Sequence, residues 1–343
     1  MPAILSREPP VKAAYLTATG SPDVIQYGDL PVPEPKAGEV RVKVLAAGLN
    51  PIDAYTRAGM VAVKLPVPFV TGSDLAGVVE AVGPGATRFN VGDRVWASNQ
   101  GLLGRQGTFA EFCCPHEDYI YPMPGGASDV EMAALALVGI TAHLGLFYRV
   151  NLVAGETVFV NGGTGGVGST VVQMAKAVGA KVVCTVGSVE KAEVARGFGA
   201  DVVVNYKTDD VSAAVLDATA GKGVDVYYET QPPTDFEKIV ERTAAYGRVV
   251  VMAGRAARPV FPNGPFYVKG LSLYGFAMFN VPPDRQRTCS EAINRWVHEG
   301  VLKPLIGKVF PLSEAAAAHR LQDENTLGKA GTLMGKIVVL PGS

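Results

Sequence analysis

The stretch Val158-Phe159-Val160-Asn161-Gly162-Gly163-Thr164-Gly165-Gly166-Val167-Gly168 constrains this chain more than any other. An apolar run passes straight into glycines spaced Gly163-x-Gly165-x-x-Gly168, and an amphipathic helical pattern follows over 166–178. In such a turn the first glycine permits a tight bend, the second lets backbone approach a diphosphate, and the third lets helix and strand pack closely. The helix start then presents N–H groups that have no intrahelical partner, so the segment is suited to receive an anion. A glycine triplet alone is a weak signal. A strand before it, a helix after it and a second strand at 181–186 make an ordinary glycine-rich turn a poor account.

The surrounding pattern extends this unit into a sheet. Apolar, Val-rich runs at Thr157–Asn161, Lys181–Thr185, Asp201–Val204, Val224–Glu229, Arg248–Ala253 and Leu271–Phe276 alternate with helical stretches at 166–178, 189–197, 209–219 and 234–244. Continuous apolar strands are covered by helices on both faces, which predicts a doubly wound parallel sheet of the Rossmann type. A long Ala- and Leu-rich helix, capped by Ser128 and running to Tyr148, precedes it. Upstream, the runs Ala13–Ala18, Glu39–Ala47, Leu75–Val82, Arg94–Ala97 and Thr108–Cys114 are short and punctuated by Gly, Pro and Asp, the pattern of an antiparallel, barrel-like β region. After Asp284 come a helix, a strand at Lys308–Pro311, a short helix at 313–322 and a strand at Gly335–Leu340 that the sheet has no place for. The expected organisation is a first domain made of 1–130 and 284–343, with a dinucleotide domain at 131–283 inserted in it.

The end of the second parallel strand bears on the choice of dinucleotide. An NAD site places Asp or Glu there to accept both ribose hydroxyls. This chain has Val186-Gly187-Ser188, and its first carboxylate, Glu190, falls inside the next helix. Lys191 follows, and Tyr206 ends the third strand in Asn205-Tyr206-Lys207. An ammonium, a hydroxyl and a phenol without a carboxylate suit the extra phosphate of NADP.

Composition removes other classes. The chain has 343 residues, 48% hydrophobic and 18% charged, which is ample for two cores. A net charge of −1 without blocks of like charge offers no field for nucleic acid or an anionic membrane. There is neither a signal-peptide pattern nor a run of about 18 uninterrupted apolar residues, so a cytoplasmic address is expected. Cysteines at 113, 114, 184 and 289 form no C-x-x-C pair and no disulfide framework. His116, His143, His298 and His319 lack metal-ligand spacing, and packing is the expected fate of His143 and His319 in their Ala-rich helices.

From Lys12 to Leu340 the sequence resembles the zinc-independent quinone oxidoreductases, the zeta-crystallin type of medium-chain dehydrogenase/reductase. The resemblance is carried by Ala47-Gly48-Leu49-Asn50-Pro51-Ile52-Asp53, Gly72-Ser73-Asp74-Leu75-Ala76-Gly77-Val78-Val79, Gly92-Asp93-Arg94-Val95, Gly139-Ile140-Thr141-Ala142, Gly165-Gly166-Val167-Gly168 and Asn205-Tyr206. It implies a GroES-like catalytic domain around the Rossmann domain, NADPH as cofactor, a homodimer, and a nicotinamide lying in the cleft between the domains. Thr164, Gly165, Gly166 and Val167 would cradle the pyrophosphate; Gly187, Ser188, Lys191 and Tyr206 would surround the 2′-phosphate. Tyr55, Gly254, Phe276, Ala277 and Met278 would contact the cofactor further along. Zinc-dependent relatives use a Cys, a His and a further Cys or Glu-type ligand, where this chain carries Asn50, Ser73 and Val138 or Gly139. These are poor zinc donors, so no metal is expected. One departure stands out: relatives follow the fourth strand with Asp-x-x-Gly, and here the segment is Glu229-Thr230-Gln231-Pro232-Pro233.

The implied chemistry is hydride transfer to a quinone, with Asn50 and Tyr55 as the candidate catalytic residues that steady developing negative charge, the phenol also being able to deliver a proton. The other reading of these two side chains is that Asn50 and Asp53 fix the loop while Tyr55 packs on the nicotinamide. Alternatives are an NADPH-dependent enone or enoyl-thioester reductase, and a cofactor-binding structural or RNA-binding protein. The segment Ser98–Thr108, rich in glycine, reads as a flexible loop near a substrate mouth, and the edge Leu271–Phe276 as a place for dimer pairing.

Overall fold

The Val-rich runs pair as neighbours in one sheet. The computed structural model describes residues 9–62 and 64–342, and the chain divides into two units, one running to Leu137 and resuming at Ile306, the other Val138–Leu305.

In the second unit six strands lie in the order Val202–Asn205, Lys181–Val186, Thr157–Asn161, Val224–Glu229, Thr243–Val251, Ser272–Gly275, and every adjacent pair is parallel. This is the doubly wound α/β arrangement. Tyr227 and Tyr228 are both buried on consecutive positions and therefore on opposite faces: Tyr227 packs with Phe159, Val183 and Ile239, while the Tyr228 hydroxyl donates to the Thr141 carbonyl at 3.2 Å. Burial on both sides explains why these strands read as unbroken apolar runs. The strand order reverses between Thr157–Asn161 and Val224–Glu229, and their C-terminal ends are register partners, Asn161 opposite Glu229. Ligands of such sheets bind outside this reversal point.

The helix at Asp129 starts with a reciprocal box, Glu131 accepting from the Ser128 N–H (2.8 Å) and hydroxyl (2.7 Å). It is α-helical to His143 and continues as a π-type turn over Leu144–Arg149. The stretch Asp129–Arg149 is apolar enough to cross a bilayer by composition, yet 72% of its apolar window is buried inside the fold, as in a core helix.

Two sequence expectations need correction. The helix Pro283–His298 stays with the second unit instead of returning to the first, because its apolar side is already committed: a Cβ at Gly139 would lie 3.1 Å from Ile293, and Trp296 stacks 5.8 Å from Phe147. The return happens at Ile306. The segment Ser98–Thr108 is tied down where flexibility was expected: Ser98, Asn99, Gln100 and Thr108 are buried, the Gln100 N–H donates to the Ser73 carbonyl at 3.1 Å, and Val70 N–H donates to Gln106 at 2.8 Å.

The first unit is β-rich. A seven-stranded sheet, whose central path runs Ile306–Pro311, Lys336–Leu340, Val40–Leu49, Asp74–Val82, Arg94–Ala97 and Ile120–Pro122, shares a core with a three-stranded sheet through Ala13, Ala14, Val42, Val79, Phe109 and Ile337. The pairing is antiparallel except between the two C-terminal strands. Insertion of Lys336–Leu340 beside Val40–Leu49, with Ile337 opposite Leu49, sets Lys336 next to the end of that long strand. His319, as expected, is a packing residue: fully buried, edge-on to Phe109 at 5.8 Å, its pKa driven down to about 3 by burial and then by Arg57.

Candidate functional site

The glycine turn of the second unit is built by close approach. The left-handed bend falls at Gly162 (φ 90°), one residue before the position the motif suggests. Gly163 is required for a different reason, since a Cβ there would meet the Cys184 side chain at 2.7 Å. A Cβ on Gly168 would sit 2.0 Å from the Gly162 carbonyl oxygen, so helix Gly166–Ala177 packs directly on the turn. Gly165 differs from both: it is the helix N-cap at φ −74°, and a Cβ there would find no protein atom nearer than 3.6 Å. Neither packing nor backbone conformation demands glycine at 165. What remains is space above the half-buried residues Gly165, Gly166 and Val167 at a helix start, a cradle that a methyl group would fill and that fits a diphosphate.

Side chains brace this turn. The Gly162 N–H donates to the Thr185 hydroxyl (2.9 Å) and the Gly163 N–H to the Thr185 carbonyl (2.9 Å); the Thr185 hydroxyl donates to Asn161 Oδ1 at 2.6 Å. The Asn161 amide in turn donates to Glu229 at 2.9 Å, and the Gln231 N–H to the same carboxylate at 2.7 Å. Burial pushes Glu229 up to about 7, against these hydrogen bonds and Arg242. The departure after Glu229 folds back over the glycines: a Cβ at Gly162 would meet Gln231 Nε2 at 2.5 Å, and one at Gly165 would meet it at 3.8 Å. Sequence reading noted this segment as irregular; it puts an amide donor beside the cradle.

After strand Lys181–Val186, Ser188 caps helix Val189–Gly197, accepting from the Lys191 N–H at 3.3 Å. Tyr206 is more than half exposed and lies over Gly187, where a Cβ would meet its hydroxyl at 2.6 Å. Burial lowers the Lys191 pKa, and the Lys207 ammonium lowers it further. Glu190 is also near, its carboxyl lowered by the Ser188 hydroxyl. Lys207 was written into the motif Asn205-Tyr206-Lys207 but given no role.

Gly254 is left-handed (φ 79°), within 3.8 Å of Pro232 and Thr234 as measured from a built Cβ. Phe276 lies 5.7 Å below the Arg149 guanidinium; Ala277 precedes the turn Met278–Asn280, and Met278 is buried with its carbonyl accepting from Gln286 at 3.1 Å.

In the first unit, Tyr55 is half-buried on the short helix Pro51–Arg57, which starts in a box formed by Asn50 and Asp53. Asn50 is fully buried. Its Nδ2 donates to Asp74 at 2.8 Å, with the Gly48 carbonyl at 3.5 Å, and its Oδ1 accepts from the Lys336 ammonium. Both ends of the amide face protein partners, so the geometry gives Asn50 to the loop. Asp53 accepts from the Asn50 N–H at 2.8 Å and from the Ser73 hydroxyl, and burial pushes its pKa up to about 7. Burial likewise raises Asp74, opposed first by the Lys336 charge, and lowers Lys336, opposed by Asp74 and Asp53. Among the described residues no three His, Cys, Asp or Glu side chains are grouped to hold a metal. Zinc does not fit the Asn50–Ser73 locus: it offers an amide and a hydroxyl, and an ammonium already occupies the space at Asn50 Oδ1. Lys336 was missed in the sequence; its signal is a lone cation opening the buried run Lys336-Ile337-Val338-Val339.

Comparisons with known proteins agree with both halves of this picture. Residues 36–125 match the family described as alcohol dehydrogenase GroES-like domain, and 166–297 the one described as zinc-binding dehydrogenase. The chain is 33% identical to the quinone oxidoreductase of Rattus norvegicus over 331 residues, covering 96% of this chain and 98% of that protein. It is 34% identical to the 2-haloacrylate reductase of a Burkholderia species, covering 96% and 99%. The structure of Escherichia coli quinone oxidoreductase complexed with NADPH superimposes with a TM-score of 0.85 at 26% identity, over 96% of this chain and all of that one.

Proposed function

Because the chain belongs to the quinone oxidoreductases of the medium-chain dehydrogenase/reductase superfamily, we propose that it is an NADPH-dependent reductase of small quinones that works without a metal. The observation that carries the cofactor reading is Gly165, a glycine that the protein itself does not require, at the start of a helix beside the strand-order reversal. The Escherichia coli relative bound to NADPH supports the choice of dinucleotide. So do Lys191 and Lys207, which together suit a phosphate dianion. The metal-free reading is supported by the donor set around Asn50 and Ser73.

With its diphosphate in the cradle, NADPH would supply the hydride from its reduced nicotinamide. The protein's share is holding and shielding. The unpartnered amides at the start of helix Gly166–Ala177 hold the diphosphate, the brace Thr185–Asn161–Glu229 keeps the turn from yielding, and Gln231 offers one more donor at its rim. The phenol of Tyr55 steadies negative charge on the acceptor oxygen and delivers its proton. A homodimer is supported by the edge of strand Ser272–Gly275, which pairs on one side with Thr243–Val251 and has exposed Leu273 on it, with exposed Val268 shortly before it in the chain and exposed Tyr246 in the neighbouring strand.

A second reading, reduction of α,β-unsaturated acids or ketones, is favoured by the Burkholderia relative named for 2-haloacrylate. NADPH consumption measured with a small quinone, an enone and 2-chloroacrylate decides between them. Turnover with the quinone alone supports the first reading and turnover with the unsaturated acid alone the second. Cofactor binding without turnover on any acceptor refutes both.

A further inference from the structure

Asp53, Asp74 and Lys336, side chains that water would keep ionised, are enclosed together in the interior of the first unit, each 5% exposed or less. They are joined through Asn50. Lys336 enters at the head of the C-terminal strand and donates to the Leu49 carbonyl at 2.6 Å and to Asn50 Oδ1; its ammonium stands 4.0 Å from Asp74. Asp74 accepts from Asn50 Nδ2 at 2.8 Å and from the Ser98 hydroxyl at 2.7 Å. Asp53 holds the Asn50 N–H and the Ser73 hydroxyl. An amide with a cation on its oxygen and an anion on its nitrogen has a single favourable orientation. A buried ion pair is seldom needed for stability, since well-packed apolar groups of the same volume serve as well or better. Its effect here is to fix a loop, and that loop starts the helix bearing Tyr55.

We propose that Lys336 is a positioning residue for the reductase reaction: its ammonium is the fixed internal cation that orients Asn50 and, through the Asn50–Asp53 box, sets the helix that carries Tyr55. The proposal rests on the reductase reading above. It also explains how a locus framed by two carboxylates is neutralised in a chain whose donors there suit zinc poorly.

The test is Lys336→Ala in the full-length protein, with methylammonium chloride as the probe for the vacated site. Turnover is expected to fall at least about 10-fold while the dissociation constant for NADPH stays within about twofold, and methylammonium should restore turnover saturably where the bulkier tetramethylammonium at equal ionic strength does not. Unchanged turnover, an equal loss of NADPH binding, or no recovery with methylammonium in a folded variant overturns the proposal. Should Lys336→Ala not fold, the double variant Lys336→Met, Asp74→Asn removes opposite charges together. It is expected to fold with turnover still reduced at least about 10-fold. Full turnover there, or failure of both variants to fold, makes the ion pair purely structural and overturns the proposal. A wild-type protein inactive on every acceptor counts against the reductase reading alone. In that case a methylammonium-dependent rise in melting temperature of Lys336→Ala, absent from the wild type, still reads the cation site.

Discussion

Alanine at Gly165 and alanine at Gly168 should fail in different ways. At 168 the added methyl meets a backbone carbonyl oxygen at 2.0 Å, and no side chain can swing aside. Overpacking of this kind costs about 1–3 kcal/mol against the roughly 1 kcal/mol that alanine gains over glycine in a helix, a net loss of up to about 2 kcal/mol. For a domain of this size each kcal/mol moves the melting temperature by about 2–4 °C, so Gly168→Ala should melt up to about 8 °C lower and bind cofactor poorly because the turn is displaced. At 165 the nearest protein atom is 3.6 Å away and φ is −74°, so the fold accepts alanine and the melting temperature should stay within about 2 °C. The methyl instead stands where phosphate oxygens would meet the amides. Loss of one charge-assisted hydrogen bond, about 1.5–3 kcal/mol, raises the NADPH dissociation constant about 10- to 100-fold. Cofactor fluorescence titration and differential scanning calorimetry on the two variants separate the cases. Unaltered NADPH affinity in Gly165→Ala, or destabilisation matching that of Gly168→Ala, would refute the cradle.

Three further outcomes are expected. Lys191→Ala should weaken NADPH about 10-fold and leave NADH within twofold if, as proposed, its ammonium receives the phosphate that only NADPH carries; an equal loss for both would remove it from that role. Tyr55→Phe should lower kcat about 100-fold with little change in the KM for NADPH, and an unchanged kcat would assign the proton to water. Stability should fall between pH 5.5 and 8. Asp53 and Glu229 have folded-state values near 7, above their ordinary 3.8 and 4.5, so the folded state binds protons more tightly than the unfolded one. Their contribution is complete below the unfolded value and disappears as pH rises through 7, about 2 kcal/mol per group across this window. Urea unfolding of Glu229→Gln should show a shallower fall than wild type, and an unchanged slope would contradict the assignment.

The parallel sheet was legible because its strands are buried on both faces and bounded by helices with clear starts: Thr157–Asn161 and Val224–Glu229 coincide with the expected limits. The strand Thr243–Val251 begins five residues before the expected Arg248, since Thr243-Ala244-Ala245-Tyr246-Gly247 carries a helical residue pattern up to a left-handed Tyr246 (φ 61°). The short helix Pro51–Arg57 gave no periodic signal, being seven residues long; its markers are local ones, the N-cap Asn50, Pro51 at the first position and Asp53 closing the box. Domain allegiance was the least legible. Nothing in the residues of helix Pro283–His298 says which core will receive Cys289, Ile293 and Trp296, because an amphipathic face specifies burial and not a partner.

The two parts of the candidate site differ in the same way. The glycine turn is encoded within eleven consecutive residues, whose spacing announces it, although which glycine the protein itself needs is decided partly by Cys184 on the next strand. The network around Asn50 joins residues 50, 53, 74, 98 and 336; Asp53 is a local partner through the helix start, and strand register brings in the others: Ile337 opposite Leu49, Gly48 opposite Asp74, Leu75 opposite Ala97. From the sequence Asn50 could be assigned a donor's role toward a substrate because its amide looked uncommitted. Once register delivers a cation to one end and a carboxylate to the other, that freedom is gone. The residue that takes it away lies 286 positions along the chain. A side chain's availability is thus a property of the fold, whereas its chemical type is a property of the sequence. The chemistry assigned to this loop therefore turns on Lys336 as much as on the motif that first drew attention to Asn50.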